Sequence, residues 1–526
     1  LKRIGITLAW ILPTLAVCAI LACFDLVGFT LRGWFAYTFL LSISLLIIYL
    51  VWINFKKEGA GKALLVTALV AIGLRILVGV VLYRGLPVWG YDEKAQNAGY
   101  VFWDSYKRDT DAWSRSGMDQ ALTTAFKNPA RSDQYGGMLF LSSAIYRYLS
   151  PDTQRPLLIV IITAAVSALA VLFAWGFAAS VIGDKAAMIV AWILALYPEA
   201  MLLGASQMRE PFLIAALAAA LYGYSRIRKG ELKGGITIVV ASTLIFTLPI
   251  SPPFVIVIFA VVTSVWFWEG SGIGRRRKLF ITALLGAVVL ATLVLAVRAW
   301  ANLDAIAGSP WEIIRQWWVN AGDQWRVTLV SEQSAMLDTL LDRLPGSFQT
   351  LFLVLYGLIQ PFLPAALIAP GAPIWRIIGI WRSLGWFLTL PFLLYGAWLA
   401  FRRKGWRSLE SYLAILIWLS ALVSSYRAPG YQWDNPRYRA IFLVAQAALI
   451  AWTWVEVRLH KNPWLKRWFF ILSVDYLLVT YWYIGRYTNI PALGLEATLG
   501  SILFFMVIYL AGMLLSDVIR TKKLRG

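Results

Sequence analysis

Residues 63–100 read ALLVTALVAIGLRILVGVVLYRGLPVWGYDEKAQNAGY. The run from Ala63 to Tyr83 is apolar enough to cross a hydrocarbon core, which takes roughly 20 residues of helix. Soon after it come two adjacent carboxylates, Asp92 and Glu93. Acids are scarce in this chain, with 27 Asp and Glu against 48 Lys and Arg. An acid pair at the mouth of a membrane-length run therefore needs a reason.

The rest of the chain has the same character. Of 526 residues, 60% are hydrophobic and 14% charged, whereas a soluble domain is about half apolar and a quarter charged. Aromatics make up 15%, with 27 Trp, which suits the belts that anchor helices at headgroup level. The composition predicts an all-α polytopic membrane protein. A net charge of +21 in a soluble protein would point to nucleic acid. Here Lys and Arg gather at the ends of apolar runs, so they set topology and attract anionic lipid, and no nucleic-acid partner is expected. Cys18 and Cys23 lie within the first apolar run and suit neither a disulfide nor a zinc site. His460 is the sole histidine and lies in a basic loop, which argues against a His-based metal site or catalytic triad.

Apolar runs predict about 14 transmembrane spans, near 6–25, 33–53, 63–83, 157–181, 186–203, 211–225, 235–250, 254–269, 279–299, 383–401, 408–425, 439–457, 468–486 and 497–516. The first has the basic-then-apolar order of a signal sequence and reads as an uncleaved span. With these spans every basic cluster falls on one side: Lys2 and Arg3, Lys56 to Lys62, Arg226 to Lys233, Arg275 to Lys278, Arg402 to Arg407, Arg458 to Arg467, and Arg520 to Arg525. The positive-inside tendency puts that side, and both termini, in the cytoplasm. Residues 348–374 are apolar but broken by Pro361, Pro364, Pro370 and Pro373, and read as a re-entrant or interfacial hairpin. Two large outer loops, about 84–156 and 300–346, carry amphipathic stretches; PWEIIRQWWVNAGDQW at 310–325 is one. The expected organisation is an extra two-helix segment (1–62), a core with the first outer loop (63–300), an outer and re-entrant segment (301–382) and C-terminal helices (383–526).

Polar chemistry is confined to the expected outer turns. Asp92 and Glu93 repel, so their protonation is coupled. The pair suits a general base with a tuning neighbour, a hard-cation ligand pair, or an ordinary exposed turn. At 197–212, YPEAMLLGASQMREPF, Arg209 and Glu210 precede Pro211 at a helix start. Arg209 is there either a phosphate clamp beside a positive dipole end or the partner of a local carboxylate. At 426–442, YRAPGYQWDNPRYRAIF, Arg427, Arg437 and Arg439 run against the positive-inside trend, beside Tyr438. They serve either an anionic headgroup or interfacial anchoring. NPARSDQYGGMLFLSSAIYRYL at 128–149 adds Arg131, Gln134 and Tyr135.

Taken in order, YDEKAQNAGY, DQYGGMLFLSSAIYRYLSPD, ALYPEAMLLGASQMREPFLIAALAAALYGYSRIRKG and NPRYRAIFLVAQAALIAW resemble the C-type (GT-C) glycosyltransferases. The likeness is to the family 39 type, which includes protein O-mannosyltransferases and aminoarabinose transferases. It covers about 85–230, with a second patch at 426–450. Two features depart from the pattern: Asp133 to Gly137 replaces a Lys or His before a Pro-rich turn, and two extra spans precede the usual first helix. The resemblance implies a polyprenyl-phosphate sugar donor and transfer on the outer leaflet. Asp92 is then the catalytic acid and Glu93 its partner. Arg209, Arg437, Arg439 and Arg131 are donor-phosphate ligands, and Tyr91, Gln134, Tyr135, Glu210 and Tyr438 line the cavity. Asp92 takes the proton of an acceptor hydroxyl, the oxygen attacks the anomeric carbon, and the lipid phosphate leaves with inversion. No cofactor is required, though a divalent cation on Asp92 and Glu93 fits the chemistry.

The acceptor, whether a protein, glycolipid or cell-wall polymer, is left open by the sequence. The expected setting is a prokaryotic plasma membrane, with the N-terminal helices available to a membrane-protein partner. Competing readings are an O-antigen-type ligase or polymerase, a non-catalytic subunit, or a lipid transporter. A transporter would explain Arg75 and Asp475, ionisable groups well inside apolar runs.

Overall fold

The computed structural model describes residues 2–127, 136–247, 262–263, 272, 274–303, 308–316, 319, 341, 344–428 and 434–523. Among them the regular structure is helical and no strand occurs. Three long helices open the chain: α1 (Lys2–Cys23), α2 (Leu31–Lys57) and α3 (Lys62–Trp89). A surface segment follows with α4 (Lys94–Asn97), α5 (Trp103–Ser116), α6 (Thr124–Lys127) and α7 (Gly137–Leu149). The chain returns to the bundle as α8 (Pro156–Val181), α9 (Asp184–Leu196), α10 (Pro198–Gly204), α11 (Glu210–Arg228), α12 (Leu232–Thr247) and α13 (Arg275–Leu303). The last part comprises α14 (Gly346–Ile359), α15 (Leu363–Ile368), α16 (Pro373–Lys404), α17 (Leu409–Arg427), α18 (Asp434–Ala440), α19 (Leu443–Leu459), α20 (Trp464–Tyr487) and α21 (Leu495–Lys523).

The protein is an all-α polytopic membrane protein. Seven described helices are long and apolar enough to cross a bilayer, or eight if α9 and α10 form one broken span. The expectation of 14 spans goes beyond this; its span near 254–269 lies almost wholly outside the described residues. Ion pairs tie several of the basic turns to neighbouring elements: Arg226 pairs with Glu58, Arg403 with Glu456 at 2.8 Å, and Arg467 with Asp517 at 2.5 Å. Burial is graded across the bundle. In α8 72% of the membrane-length window is buried, and in α21 only 6%. The core is thus built on α8, and α20 and α21 lie at its edge.

The span expected at 186–203 is broken. Pro198 has no N–H and disfavours helical geometry at the residue before it. Tyr197 is accordingly extended, at φ −61° and ψ 124°, and α10 turns 54° away from α9. The break strands the Leu194 carbonyl, whose partner in a continuous helix would be the missing N–H of residue 198. Arg75 fills that vacancy. It is 1% exposed, and it donates from Nη2 to Leu194 O at 2.8 Å and from Nη1 to Ala195 O at 3.1 Å. A cation at a helix C-terminus also opposes the negative dipole end. Gly204 permits the approach, since a Cβ there would lie 2.6 Å from Arg75 Cδ. The intramembrane arginine therefore has a structural task, which removes one motive for reading a transporter.

In the segment around 348–374, α14 spans 14 residues and α15 six. Neither alone is long enough to cross. Residues 310–316 are helical, with Trp311 73% exposed; Trp317 and Trp318 lie outside the described residues.

Candidate functional site

The end of the bundle opposite the basic turns holds the polar chemistry. Helix α5 docks there on the turn between α10 and α11. Ser105 donates to Ser206 O at 2.8 Å, and Arg108 Nη1 donates to Gln207 O at 3.2 Å. Gln207, at φ 54°, donates its amide to Pro156 O at 2.9 Å. The other side of α5 is pinned by Asp109, 2% exposed. Its carboxylate accepts from Tyr100 at 2.6 Å, Tyr146 at 2.7 Å and Gln154 at 2.7 Å. Burial pushes the Asp109 carboxyl up, against these hydrogen bonds, which pull it down. This acid is a fully satisfied pillar of the outer segment.

On that scaffold three distant pieces of chain converge. Helix α5 brings Asp104 and Arg108, the 205–210 turn brings Arg209 and Glu210, and α18 brings Arg437. Arg437 Nη1 lies 3.4 Å from Asp104 Oδ2, and its Nε lies 3.0 Å from Glu210 Oε1. Its guanidinium also sits 5.2 Å from the Tyr438 ring centroid and 5.9 Å from that of Phe102. Glu210 is 1% exposed, and its Oε2 has no hydrogen-bond partner among the described residues. Desolvation on its own raises the Asp104 carboxyl; the guanidiniums of Arg437, Arg108 and Arg209 outweigh it and hold that carboxyl below the usual carboxylate range. Arg209 is half-buried, and its side chain makes no hydrogen bond or ion pair among the described residues. Its charge acts on Asp104, and a guanidinium with its donors unspent suits an anion.

Beside this cluster runs an apolar groove of about 520 Å³ between α3 and α16. Its walls include Val81, Leu82 and Trp89 on one side and Ile374, Ile377 and Trp381 on the other, with Leu202 of α10 between them. Leu82, Leu202 and Ile374 belong to one apolar cluster that continues to Phe102, Met208 and Ala440. The groove floor thus leads to the residues flanking Arg209 and α18.

Not all the sequence candidates converge. Tyr91, Asp92 and Glu93 are exposed at the top of α3, just beyond Trp89 in the groove wall. Asp92 accepts from Asn97 at 2.8 Å and Glu93 from Gln96 at 3.0 Å. Gln96 in turn accepts from Trp375 Nε1 at 2.6 Å, tying the turn to α16. No hydrogen bond or ion pair joins Asp92 or Glu93 to Arg209, Arg437 or Arg439. Arg439 is buried and committed elsewhere. It stacks 3.4 Å from the Trp386 ring centroid and donates to Gln360 O at 2.6 Å. Arg131, Gln134 and Tyr135 lie outside the described residues.

The sequence reading missed Asp104 and Arg108. The signal was present, as the two lie four apart on an amphipathic stretch and so share a helix face. It also missed the buried Glu199–Arg382 pair, bidentate at 2.6 and 3.0 Å, which joins α10 to α16. A hard cation takes six or more oxygens. Asp92 and Glu93 offer two exposed carboxylates, and no group of three His, Cys, Asp or Glu converges among the described residues. These residues do not form a cation cage.

No family model and no curated protein matches the sequence. Among solved structures the chain is similar to archaeal oligosaccharyltransferases from Archaeoglobus fulgidus. One is AglB in complex with an inhibitory peptide and a dolichol-phosphate, at 15% identity, with 82% of this chain and 56% of that chain covered and a TM-score of 0.41. A second is the A. fulgidus enzyme with Zn and sulfate, at 14% identity, with 82% and 53% covered and a TM-score of 0.42. A third is that enzyme tethered to an acceptor peptide containing the NVT sequon, at 15% identity, with 80% and 54% covered and a TM-score of 0.41. The chain spans just over half the length of each.

Proposed function

We propose that this protein is a C-type membrane glycosyltransferase, related to the family 39 type, that takes a sugar from a polyprenyl-phosphate donor on the outer face of a prokaryotic plasma membrane. The observation that carries the reading is Arg209. It is half-buried, its side chain is without a hydrogen bond or ion pair among the described residues, and its neighbour Met208 belongs to the apolar cluster that floors the groove. The isoprenoid tail lies in the groove between α3 and α16 and the phosphate meets Arg209. Arg437 stands behind it, held by Asp104 and Glu210. Fixed cations of this kind stabilise the charge that develops on a departing lipid phosphate.

We assign the general base to Asp92 rather than Asp104. A general base has first to be within reach of the acceptor proton and not already bound to cations. Asp104 is held low by three guanidiniums, which makes it a poor proton acceptor and a good positioning anion. Asp92 is exposed and faces a neutral amide, Asn97. It takes the proton of the acceptor hydroxyl while that oxygen attacks the anomeric carbon. The sugar–phosphate bond breaks on the opposite side, and configuration inverts. The basic end faces the cytoplasm in this reading, by the positive-inside tendency.

The test is binding of a short-chain polyprenyl phosphate to the purified protein in nanodiscs, read by native mass spectrometry. Wild type should retain the lipid, and Arg209→Gln should weaken it about tenfold or more with no change in thermal stability. Equal retention by the two proteins would sink the assignment of the phosphate site.

A further inference from the structure

A second groove lies between α1, α2 and α3, away from the proposed donor site. Its volume is about 440 Å³, and its walls include Val17 and Ile20 of α1, Leu41 and Leu45 of α2, and Gly73 and Val80 of α3. That volume is in the range of pockets that hold drug-sized or lipid-sized ligands. Its walls are fixed at the end opposite the basic turns. Asp25, in the α1–α2 loop, accepts from Arg155 at 2.9 Å and from Tyr37 at 2.5 Å. Thr30 accepts from Arg155 at 3.0 Å. Within the membrane Trp34 Nε1 donates to Leu15 O at 3.0 Å, joining α2 to α1.

Arg84 stands at the mouth of this groove. Gly73, Val80 and Arg84 are seven and four residues apart, so they lie on one face of α3. The Arg84 guanidinium lies 5.8 Å from the ring centroid of Phe24, which itself lines the groove. Arg84 is exposed, and its side chain makes no hydrogen bond or ion pair among the described residues. The acid next to Phe24, Asp25, is 4% exposed and already engaged by Arg155 and Tyr37. An exposed cation at headgroup level, above an apolar slot and with the local carboxylate spent, is complementary to a lipid phosphate.

We propose that this groove binds an anionic phospholipid, its acyl chain between α1, α2 and α3 and its phosphate on Arg84. The site is separate from the donor reading, since it lies on a neighbouring face of α3, shares only Leu77 with the donor groove and uses none of the cluster around Arg437. The experiment is native mass spectrometry of the full chain with phosphatidylglycerol or phosphatidylcholine of identical chains. Wild type should retain phosphatidylglycerol about tenfold better. Arg84→Gln should bring the two lipids level while phosphatidylcholine retention stays. Gly73→Phe should lower retention of both, because a Cβ at Gly73 meets nothing within 4 Å and the ring fills the slot. The substitution also removes a helix-interior glycine, which favours the helix. An unchanged preference in Arg84→Gln overturns the proposal, and so does unchanged retention in a folded Gly73→Phe. Displacement of the whole lipid by millimolar inorganic phosphate overturns it too, because the site would then read the phosphate alone. Arg84 is exposed, so Arg84→Gln decides the matter even if Gly73→Phe fails to fold.

Discussion

Replacing Arg75 with methionine tests why the chain bends at Tyr197. The bend matters because α10 leads directly into the turn that carries Arg209 and Glu210. Arg75 supplies two hydrogen bonds to carbonyls that the break leaves open, Leu194 O at 2.8 Å and Ala195 O at 3.1 Å. A hydrogen bond involving a charged group is worth about 1.5–3 kcal/mol net, so the two contribute roughly 3–6 kcal/mol. Burying the guanidinium costs several kcal/mol in the other direction, and methionine is relieved of that cost. The expected net loss is about 1–3 kcal/mol. Pro198→Ala changes the outcome in a specific way. Alanine restores the N–H at 198 and lifts the steric bar on a helical Tyr197, so the Leu194 carbonyl regains an intrahelical donor. In that background Arg75→Met should cost about 1 kcal/mol or less. The assay is thermal unfolding of the four proteins in nanodiscs, read as a double-mutant cycle. Strictly additive effects, or an Arg75→Met protein as stable as wild type, would refute the account of the bend.

Four further outcomes follow from the cluster at the opposite end. Arg209→Gln should leave the melting temperature within error and weaken polyprenyl-phosphate retention about tenfold or more, measured by native mass spectrometry. Asp92→Asn should lower donor turnover by roughly 10²–10⁴-fold, the usual share of a general base, with retention intact; full turnover would remove Asp92 from the mechanism. Arg437→Gln leaves the 1%-exposed Glu210 carboxylate without its neighbouring guanidinium. Breaking a buried pair this way costs about 3–5 kcal/mol, and adding Glu210→Gln should recover most of the loss in a thermal melt. Asp104 has a folded pKa below its unfolded value, so its contribution is present above about pH 4 and is lost as pH falls through the folded value. The melting gap between wild type and Asp104→Asn should therefore hold steady from pH 8 to about 5 and close below about pH 4.

What the sequence made legible was whatever depends on solvent and on local order. The bilayer asks for about 20 apolar residues at a time, and such runs are visible one by one. That is why the polytopic all-α class could be read without coordinates. The break at Tyr197 was written in the chain as well, since Pro198 interrupts the run expected at 186–203. It went unread because hydropathy averages over a proline, whereas the backbone cannot. Arg75 was noticed as an intramembrane charge, but its purpose depended on a carbonyl on another helix, and no pattern in one segment can announce that.

The candidate site divides on the same line. Arg209, Glu210 and Arg437 were singled out because charge on the expected outer side needs a reason, and the structure gathers all three. Arg439 carried the same signal and has a different task, stacked on Trp386 and capping Gln360 O. It lies two positions on from Arg437 on one short helix, and that spacing turns their side chains to different faces. Asp104 escaped notice because Asp92 and Glu93 stood out as an adjacent pair, whereas Asp104 counts only alongside Arg108, one turn on. Adjacency in sequence made the DE pair conspicuous, and spacing on a helix made Asp104 the acid that meets the arginines. The pair keeps a place at the groove mouth through Gln96 and Trp375. An acid there is exposed and bonded only to neutral amides, whereas Asp104, set among guanidiniums, is held ionised and keeps them in place. The two acids thus suit different parts of one reaction, and the contrast between Asp92→Asn and Asp104→Asn separates turnover from donor binding.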